Sequence, residues 1–442
     1  MGVARFGNST RVPTRSSAQE RESLRSRIRI ALWLAIDYDS ARALDILAEI
    51  RPRLNRRDRA TVALYFHAFG VACIKARRLP EGFEAFETSL DAARADGDAA
   101  LCARILNNYG TAAMQAGSVD VAIARLEEAL DCHRARGGPV SLGLISLAEA
   151  FFTAGELARA AALLHELHGT TIMQSGDDPT MLLAVGALGI PLGLMLPDEA
   201  LLKLSSDPQL IDIAFTRREQ YLVGPLIEAF CLLYEYADDR NAHDALLDRA
   251  LDATSSLDNS LPFAIRAARL GSGHYLARIS NLMSRQCPKT SPLLRAHKDL
   301  FDSFIAVRRA DARAKKLALR AAHEFARVRR PLQEAAALAA AGNVEEANAV
   351  YYRCGAQVAA PSPKWTGGAI PKRLARELTP RESEIARLAA GGSSNRAIAT
   401  ALGLSERTVQ NHCEAVFIKL GIHSRWQISS EINRSSERRI DA

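Results

Sequence analysis

The chain has 442 residues, with 57 Lys and Arg against 50 Asp and Glu and a formal net charge of +7 at pH 7. This length accommodates about two to four domains with buried cores, and the mildly basic balance permits a nucleic-acid partner. Scattered cysteines argue against a disulfide scaffold or a zinc site, and an N-terminus without an apolar segment predicts a cytoplasmic protein with no membrane anchor.

Residues 1–22 are predicted to form a disordered basic arm. Arginines lie there among Ser, Thr, Gly, Asn and Pro, a composition that does not support a packed core. Such an arm can contact DNA phosphates, but a solvated tail is the simpler interpretation. From residue 23 the apolar pattern becomes helical and stays so to residue 355, which marks the extent of the first folded domain.

Residues 23–355 contain a repeat with a period of about forty residues. The tripeptide Ala68-Phe69-Gly70 is matched by Asn108-Tyr109-Gly110, and Leu90-Asp91 is matched by Leu130-Asp131 at the same interval. Each unit predicts an apolar helix, a short turn with Gly, and a second helix with Ala and Leu on one face. The pattern resembles tetratricopeptide (TPR) repeats in a lengthened form, which stack into a solenoid with a concave groove lined by the first helices.

The expected groove gives the repeat domain its candidate ligand site. Polar and aromatic residues on one first helix have the chemistry to bind a peptide or a small molecule: Arg104, Asn107, Asn108 and Tyr109. The alternative, which we favour, is that Tyr109 packs in the core and the two asparagines satisfy backbone groups. The sequence does not decide between a peptide and a small molecule as the ligand of this domain.

The second half of the repeat region is less regular. The most apolar run, residues 181–196, is interrupted by Gly and Pro and predicts a buried helix–helix junction rather than a membrane span. A longer helix over 217–236 is predicted to kink or restart at Pro225, and another follows over 241–253. Repeat-like helices are then predicted over 301–319, 321–328, 332–341 and 344–354. The Pro- and Gly-rich segment 356–371 predicts a linker.

Residues 378–421 carry three successive helix starts, each with its own stop signal. Thr379-Pro380-Arg381-Glu382 is a capping box with Pro at the first helical position, and Gly391-Gly392 ends the helix that it starts. Ser394 caps a second helix over 395–402, and a glycine follows that helix directly.

A third helix is predicted over residues 406–420, with Ser405 as its cap and Gly421 at its end. Apolar residues of the second and third helices each share one face: Ile398, Ala399, Leu402, Val409, Cys413, Val416 and Leu420. Leu404, in the turn after Gly403, would fill the corner between the two helices. Two short helices joined by a tight turn with Gly predict a helix-turn-helix.

The C-terminal segment resembles the LuxR (GerE) family of DNA-binding domains over residues 372–434, about a seventh of the chain. The matching positions are Leu378 to Glu382, Gly392, Ser394, Asn395, Ile398, Ala399, Leu402, Ser405, Thr408, Val409, His412 and Lys419 to Gly421. The resemblance implies a four-helix domain over residues 372–442 that binds double-stranded DNA as a homodimer. A fourth helix over about 424–430 would support dimerisation through Trp426 and Ile428; packing inside the domain is the alternative.

Ten residues of this domain are candidates for DNA contacts: Arg381, Asn395, Arg396, Ser405, Arg407, Thr408, Gln410, Asn411, Glu414 and Lys419. With Val409 toward the core, Asn411 and Glu414 point outward and Gln410 flanks them. Gln and Asn can pair with adenine, and Glu can accept from the cytosine amino group. The better phosphate candidates are Arg381, Asn395, Arg396, Thr408 and Lys419, although each can equally be a solvated surface residue.

The charge of the third helix departs from the family pattern. The family usually has a lysine where Gln410 stands. Between residues 405 and 420, Arg407 and Lys419 are balanced by Glu406 and Glu414. Because phosphate neutralisation supplies most non-specific affinity, we expect weaker or more conditional DNA binding than in a Lys-rich relative.

No enzyme activity and no cofactor are predicted. The chain lacks GxxxxGK[ST], GxSxG, HExxH and EF-hand patterns. It resembles the repeat and DNA-binding parts of large maltose-activator-type LuxR regulators without their ATPase, which would lie upstream if the gene product is shortened. The sequence predicts an all-α transcriptional regulator whose repeats modulate DNA binding. The alternatives are a TPR interaction scaffold whose helix-turn-helix no longer binds DNA, and a protein with an unrecognised nucleotide site.

Overall fold

The computed structural model describes residues 15–36, 39–138, 140–170, 178–216, 220–253, 257–270, 280, 283, 291–357, 380–390, 393–406, 408–410, 412–413 and 416. The chain divides into two compact units, a first unit within residues 1–366 and a second unit within residues 367–442. All regular secondary structure in the described residues is helical, which confirms the predicted all-α class. Within the same residues, no helix combines the length and the apolarity needed to cross a bilayer.

The helices are labelled here in chain order. The first unit contains α1 Arg15–Ile36, α2 Ser40–Ile50, α3 Arg59–Lys75, α4 Leu79–Asp96, α5 Ala99–Ala116, α6 Val119–Ala135, α7 Ser141–Ala154, α8 Leu157–His168, α9 Pro179–Met195, α10 Glu199–Ser205, α11 Gln209–Thr216, α12 Gln220–Tyr236, α13 Arg240–Ala253, α14 Leu257–Leu270, α15 Pro292–Arg308, α16 Ala314–Arg327, α17 Pro331–Ala340 and α18 Val344–Arg353. The second unit contains α19 Pro380–Ala390 and α20 Asn395–Leu402.

Helices α3 to α8 form three consecutive pairs, and each pair also packs on the next. Two of the three first helices start at aspartate caps: Asp58 accepts from the Thr61 backbone N–H (3.2 Å) and Asp98 from that of Leu101 (2.9 Å). The turn between α5 and α6 runs through Gly117, whose φ of +87° suits only glycine without strain. These pairs confirm the predicted TPR-like architecture.

The glycine shared by the sequence repeats lies where the two helices of a pair approach most closely. A Cβ added at Gly70 on α3 would lie 3.1 Å from the ring of Phe86 on α4. One added at Gly110 on α5 would lie 2.5 Å from Cγ of Leu126 on α6. The glycine that recurs in the sequence repeat is therefore explained by the close packing of the two helices in a pair.

Helix α9 is the buried junction that the apolar run predicted. Its residues Leu183, Ile190 and Leu192 have no exposed surface, and the helix packs on α7, α8 and α12. Its Pro191 lies inside the helix, as does Pro225 within α12, so neither proline ends its helix. The helix predicted over 217–236 is therefore present from Gln220 to Tyr236, and it does not restart at Pro225 as the sequence allowed.

Two predicted helix boundaries were wrong. The helix expected over residues 301–319 is divided into α15 and α16, because the chain turns at Ala310, whose φ is +52°. The Asp311 backbone N–H donates to the Ala306 carbonyl (2.9 Å), and its carboxylate accepts from the Arg313 backbone N–H (2.9 Å). This helix end uses a left-handed alanine in place of glycine, so the sequence contained no recognisable stop signal.

The N-terminal arm is also shorter than predicted, because α1 begins at Arg15 and not near residue 23. Ile28, Ala31 and Ala35 are buried and anchor the helix, while an exposed ion pair joins Glu22 to Arg29 (2.8 Å). Residues 1–14 lie outside the described residues.

The C-terminal end of the first unit packs back on its middle. Leu332, Ala335, Ala347 and Val350 of α17 and α18 belong to the same apolar cluster as residues of α5 to α9. Arg329 forms an ion pair with Asp120 at the start of α6. This closure of the helical array was not predicted, because nothing in the local pattern indicates a contact between segments so far apart.

The beginning of the predicted linker belongs to this closed array. Ala356 is buried, and the Gln357 backbone N–H donates to the Met195 carbonyl at the end of α9 (2.8 Å). The rest of the predicted linker, with Trp365, lies outside the described residues. So do Thr379, Gly391-Gly392 and the predicted fourth helix.

Candidate functional sites

The second unit places α19, α20 and the start of a third helix in the predicted order. Ser394 caps α20 by accepting from the Ala397 backbone N–H (3.2 Å), and Gly403 ends it with a φ of +64°. The Leu404 backbone N–H then donates to the Ala399 carbonyl (2.9 Å). Ser405 caps the next helix, since its Oγ accepts from the Thr408 backbone N–H (3.1 Å). A helix, a tight glycine turn and a freshly capped helix make a helix-turn-helix.

A small apolar core fixes the angle between these helices. It consists of Ile385, Ala386, Ala389, Ile398, Ala399, Val409, Cys413 and Val416, with Leu388, Leu402 and Leu404 packed against it. Ile398 and Val409 have no exposed surface. The predicted inward faces of the second and third helices, and the role of Leu404 in the corner, are therefore confirmed for the residues that the structure describes.

Arg381 has an intramolecular role that the sequence did not reveal. Its guanidinium donates to the Leu402 carbonyl (2.7 Å) at the end of α20 and to the Glu384 carboxylate (2.7 Å) on its own helix. The first contact satisfies one of the carbonyls that a helix C-terminus leaves unpaired. Arg381 thus joins the start of α19 to the end of α20, and a phosphate contact by this residue stays a prediction.

The candidate DNA-contact residues in the described part of this unit differ in exposure. The Arg396 side chain is 86% exposed, and its Nε lies 3.8 Å from Oε1 of Glu406. Ser405 and Gln410 are exposed, whereas Thr408 is half-buried with its Oγ1 2.7 Å from the Ser405 hydroxyl. Asn395 is half-buried, with Oδ1 4.0 Å from the Cys413 thiol.

Gln410 follows directly on buried Val409, so it begins the outward face that helical projection predicted. The remaining four candidates lie outside the described residues: Arg407, Asn411, Glu414 and Lys419. Glu406 lies close enough to Arg396 to offset part of its positive charge, in keeping with the balanced charge seen in the sequence.

The first unit contains a cavity of about 400 Å³ lined by the first helices of three consecutive pairs, α3, α5 and α7, together with parts of α1, α4, α9 and α12. Asn107 and Asn108 on α5 both line it. Tyr109 does not: its ring stacks on Phe86 (centroids 5.3 Å apart) and its hydroxyl donates to Glu87 (2.8 Å). The packing interpretation of Tyr109 is confirmed.

For Asn107 and Asn108 the structure differs from the expectation that both satisfy backbone groups. Asn108 Nδ2 donates to Nε2 of His67 (2.8 Å), a side chain and not the backbone. Burial, assisted by the positive charge of Arg104, lowers the pKa of His67 to about 4, which keeps its imidazole neutral and able to accept. The Asn107 side chain is buried, and its Oδ1 has no hydrogen-bond partner in the described part of the chain.

Glu149 on α7 faces the same cavity. Its side chain is accessible to solvent, yet the surrounding helices raise the pKa of its carboxyl by desolvation, against the opposing effect of the Arg330 charge. Sequence patterns could not identify Glu149, because it is one of many acidic residues on amphipathic helices and only the packing places it at a cavity.

Comparisons with known proteins agree with the helix-turn-helix. The family model described as bacterial regulatory proteins of the luxR family matches residues 376–431. Putative HTH-type transcriptional regulators of Mycobacterium bovis and Mycobacterium tuberculosis are 47% identical over 66 residues, which are 14% of this chain and 8% of those proteins. The apo form of the quorum sensor NprR from B. thuringiensis has a TM-score of 0.42 at 14% identity, over 74% of this chain and 85% of that one.

Proposed function

We propose that this chain, whose residues 376–431 match the luxR-family DNA-binding domain, is a transcriptional regulator that reads double-stranded DNA with the helix that Ser405 caps. The observation that carries the proposal is the division of that helix into two faces. Val409 and Cys413 are buried against α19 and α20, whereas Gln410 is exposed. A major groove accepts a helix that presents such an outward face.

The roles of the side chains follow from their chemistry. Gln410 and Asn411 would each pair with an adenine, and Glu414 would accept from a cytosine amino group. The phosphate contacts would come from Arg381, Asn395, Arg396, Ser405, Arg407, Thr408 and Lys419. The N-terminus of the recognition helix adds backbone N–H groups, which favour an adjacent phosphate.

The regulator would bind DNA as a homodimer on a two-part site. A helix-turn-helix dimer reads two half-sites about one helical turn apart, so the operator would be an approximate palindrome. The predicted fourth helix with Trp426 would supply the apolar surface for this contact.

The repeat domain would modulate DNA binding by a population shift. In the unliganded state the repeats would restrict the recognition helix or the dimer surface, and the linker over 356–371 would permit its release when the repeats bind their ligand or partner. Limited proteolysis within the linker tests this directly: the account expects a rise in DNA affinity, and an unchanged affinity would contradict it.

DNA binding itself is tested with the full-length protein and a labelled duplex of random sequence, followed by fluorescence anisotropy across a salt series. The logarithm of the binding constant should fall linearly with the logarithm of the salt concentration, because bound phosphates release counterions. If the folded protein shows no salt-dependent affinity for DNA, the proposal of a DNA-binding regulator is wrong and an interaction scaffold is favoured.

A further inference from the structure

The first unit carries a compact group of positive charges between α2 and α3. After α2 the chain runs through a short 3₁₀ turn over Arg51–Arg53 and then an irregular turn that leads into α3. We call residues 51–59 the arginine turn. Repulsion between like charges disfavours such a group unless something negative lies against it. Five of its nine residues are exposed arginines: Arg51, Arg53, Arg56, Arg57 and Arg59.

The acidic side chains closest in sequence to the arginine turn do not balance its charge. They are Glu49 and Asp58, and each is already paired with an arginine of α1. Glu49 forms an ion pair with Arg27. Asp58 forms one with Arg25 (2.9 Å) and also caps the start of α3. The excess positive charge of the turn is therefore not used up by these neighbours.

A second dense run of basic residues, over 308–320, differs in this respect. Two of its arginines are held by carboxylates, because Arg313 pairs with Asp311 (2.7 Å) and Arg320 pairs with Asp299. In the arginine turn, three side chains form no hydrogen bond or ion pair within the part of the chain that the structure describes: Arg53, Arg56 and Arg57.

The arginine turn is fixed to the core, which distinguishes it from a basic tail. Leu54 is half-buried and packs against the apolar cluster of α1 to α6. The side-chain oxygen of Asn55 accepts from the Arg57 backbone N–H (3.0 Å), and its carbonyl accepts from the Asp58 backbone N–H (2.9 Å). Because this backbone is already ordered, a partner would bind it at little further cost in conformational entropy.

The chemistry of the arginine turn suits phosphate groups. A guanidinium is planar, keeps its charge and can donate two parallel hydrogen bonds to one phosphate. Double-stranded DNA carries about one negative charge per 1.7 Å of its axis, so a turn of this size would face several phosphates at once. We propose that the arginine turn binds the phosphate backbone of double-stranded DNA and adds sequence-independent affinity to the protein.

The second unit gives a reason for such a contribution. Glu406 lies near enough to Arg396 to offset part of its charge, and the formal charges between residues 405 and 420 balance. Since non-specific affinity comes from phosphate neutralisation, the helix-turn-helix supplies little of it, and DNA is favoured over an acidic protein as the partner of the turn. A role in regulation rests on the proposed function, whereas the contact with DNA phosphates does not.

The test measures the affinity of the full-length protein for a labelled duplex of random sequence by fluorescence anisotropy over a salt series. Arg53→Gln/Arg56→Gln/Arg57→Gln removes three charges from the arginine turn, and the exposure of these side chains should leave the fold intact. The slope of the logarithm of the binding constant against the logarithm of salt concentration should become shallower by about three units. Arg53→Lys/Arg56→Lys/Arg57→Lys keeps the charges and should keep most of the slope.

A matched control removes the same charge from other places on the first unit. Lys203→Gln/Arg309→Gln/Lys315→Gln changes three exposed side chains, one on α10, one at the end of α15 and one on α16. If position matters and not net charge alone, this variant should change the slope by less than about one unit. Thermal melting of each variant shows that it is folded.

Equal slopes for the arginine-turn variant and the control would overturn the proposal, which is the outcome expected if the turn serves an acidic protein. A wild-type protein without salt-dependent affinity for DNA would overturn it as well. Sequence selectivity, measured by enrichment of genomic fragments, separates this proposal from the proposed function. Loss of slope in a protein that enriches no sequence would support the arginine turn and contradict the proposed function, whereas selectivity with unchanged slope would do the reverse.

Discussion

The guanidinium of Arg330 donates a hydrogen bond to the backbone carbonyl of Met114, which lies 216 residues earlier in the chain. A second nitrogen of the same group lies 3.4 Å from Oγ1 of Thr153. Met114 belongs to α5 and Thr153 to α7, the two helices that carry Asn107 and Glu149 at the cavity. The closure of the array and the candidate ligand site therefore share the same pair of helices.

Replacement of Arg330 should destabilise the repeat domain. Arg330→Leu leaves the Met114 carbonyl without its donor, and hydrogen bonds to charged groups contribute about 2 kcal/mol to the free energy of unfolding. The neighbouring Arg329 provides the control, because its ion pair with Asp120 is exposed and should contribute at most about 1 kcal/mol. Chemical denaturation of Arg330→Leu and Arg329→Leu measures the difference; equal losses would contradict the closing role of Arg330.

Gly110→Ala should also destabilise the repeat domain, although alanine favours a helix by about 1 kcal/mol over glycine. The new Cβ would lie 2.5 Å from Leu126 Cγ and 3.1 Å from the Ala122 carbonyl oxygen, so α5 and α6 must move apart. Overpacking of this kind costs about 1–3 kcal/mol. At Gly138, where the nearest atom is 3.7 Å away, the same substitution should change stability by less than about 0.5 kcal/mol. A stabilised Gly110→Ala variant would show that the helices do not approach this closely.

The repeat domain should lose stability in mild acid through His67. Burial lowers the pKa of His67 to about 4, below its ordinary value of 6.5. The unfolded chain therefore binds the proton first, and stability present above pH 6.5 falls as the pH is lowered toward 4, by up to about 3 kcal/mol.

His67→Gln should reduce this pH dependence, because glutamine does not titrate and its amide oxygen can still accept from Asn108. The part that remains is expected from His297, whose pKa burial also lowers to about 4. Melting temperatures between pH 7 and pH 4 provide the measurement, with His323→Gln on the exposed surface of α16 as the control. A His67→Gln variant with the same acid sensitivity as the wild type would exclude His67 as the cause.

Arg396→Ala should weaken DNA binding equally for all sequences and reduce the salt slope by about one unit, since one phosphate contact is lost. The exposure of this side chain leaves the fold unaffected. Arg387→Ala, on the exposed surface of α19, removes the same charge from the same unit. Fluorescence anisotropy at several salt concentrations measures the DNA affinity of both variants. Equal losses in both variants would mean that net charge, and not the position of Arg396, determines affinity.

Local signals in the sequence predicted the features that depend on short stretches of chain. The Ser394 cap, the Gly403 turn and the buried faces of Ile398 and Val409 follow from capping preference and helical periodicity within a few residues. The repeats were predictable for a similar reason, since the close approach at Gly70 and Gly110 leaves the same glycine in the first two of the three pairs.

Features that depend on distant contacts could not be predicted. The closure by Arg330 joins distant segments that share no sequence pattern. The turn at Ala310 is local, but it was missed because alanine normally continues a helix. The unpaired oxygen of Asn107 exists only because neighbouring helices exclude other donors from it. The bonds of Arg381 to Leu402 and Glu384 likewise require the packed domain, so the sequence indicated only its charge.

The central claim is that the C-terminal helix-turn-helix reads DNA sequence. The most direct test selects random genomic DNA fragments with the full-length protein over a salt series, beside the double variant Gln410→Ala/Asn411→Ala. The account predicts that wild-type protein enriches fragments sharing one sequence, and that the double variant retains salt-dependent affinity but loses this selectivity. A folded wild-type protein that enriches no common sequence at any salt concentration would contradict it.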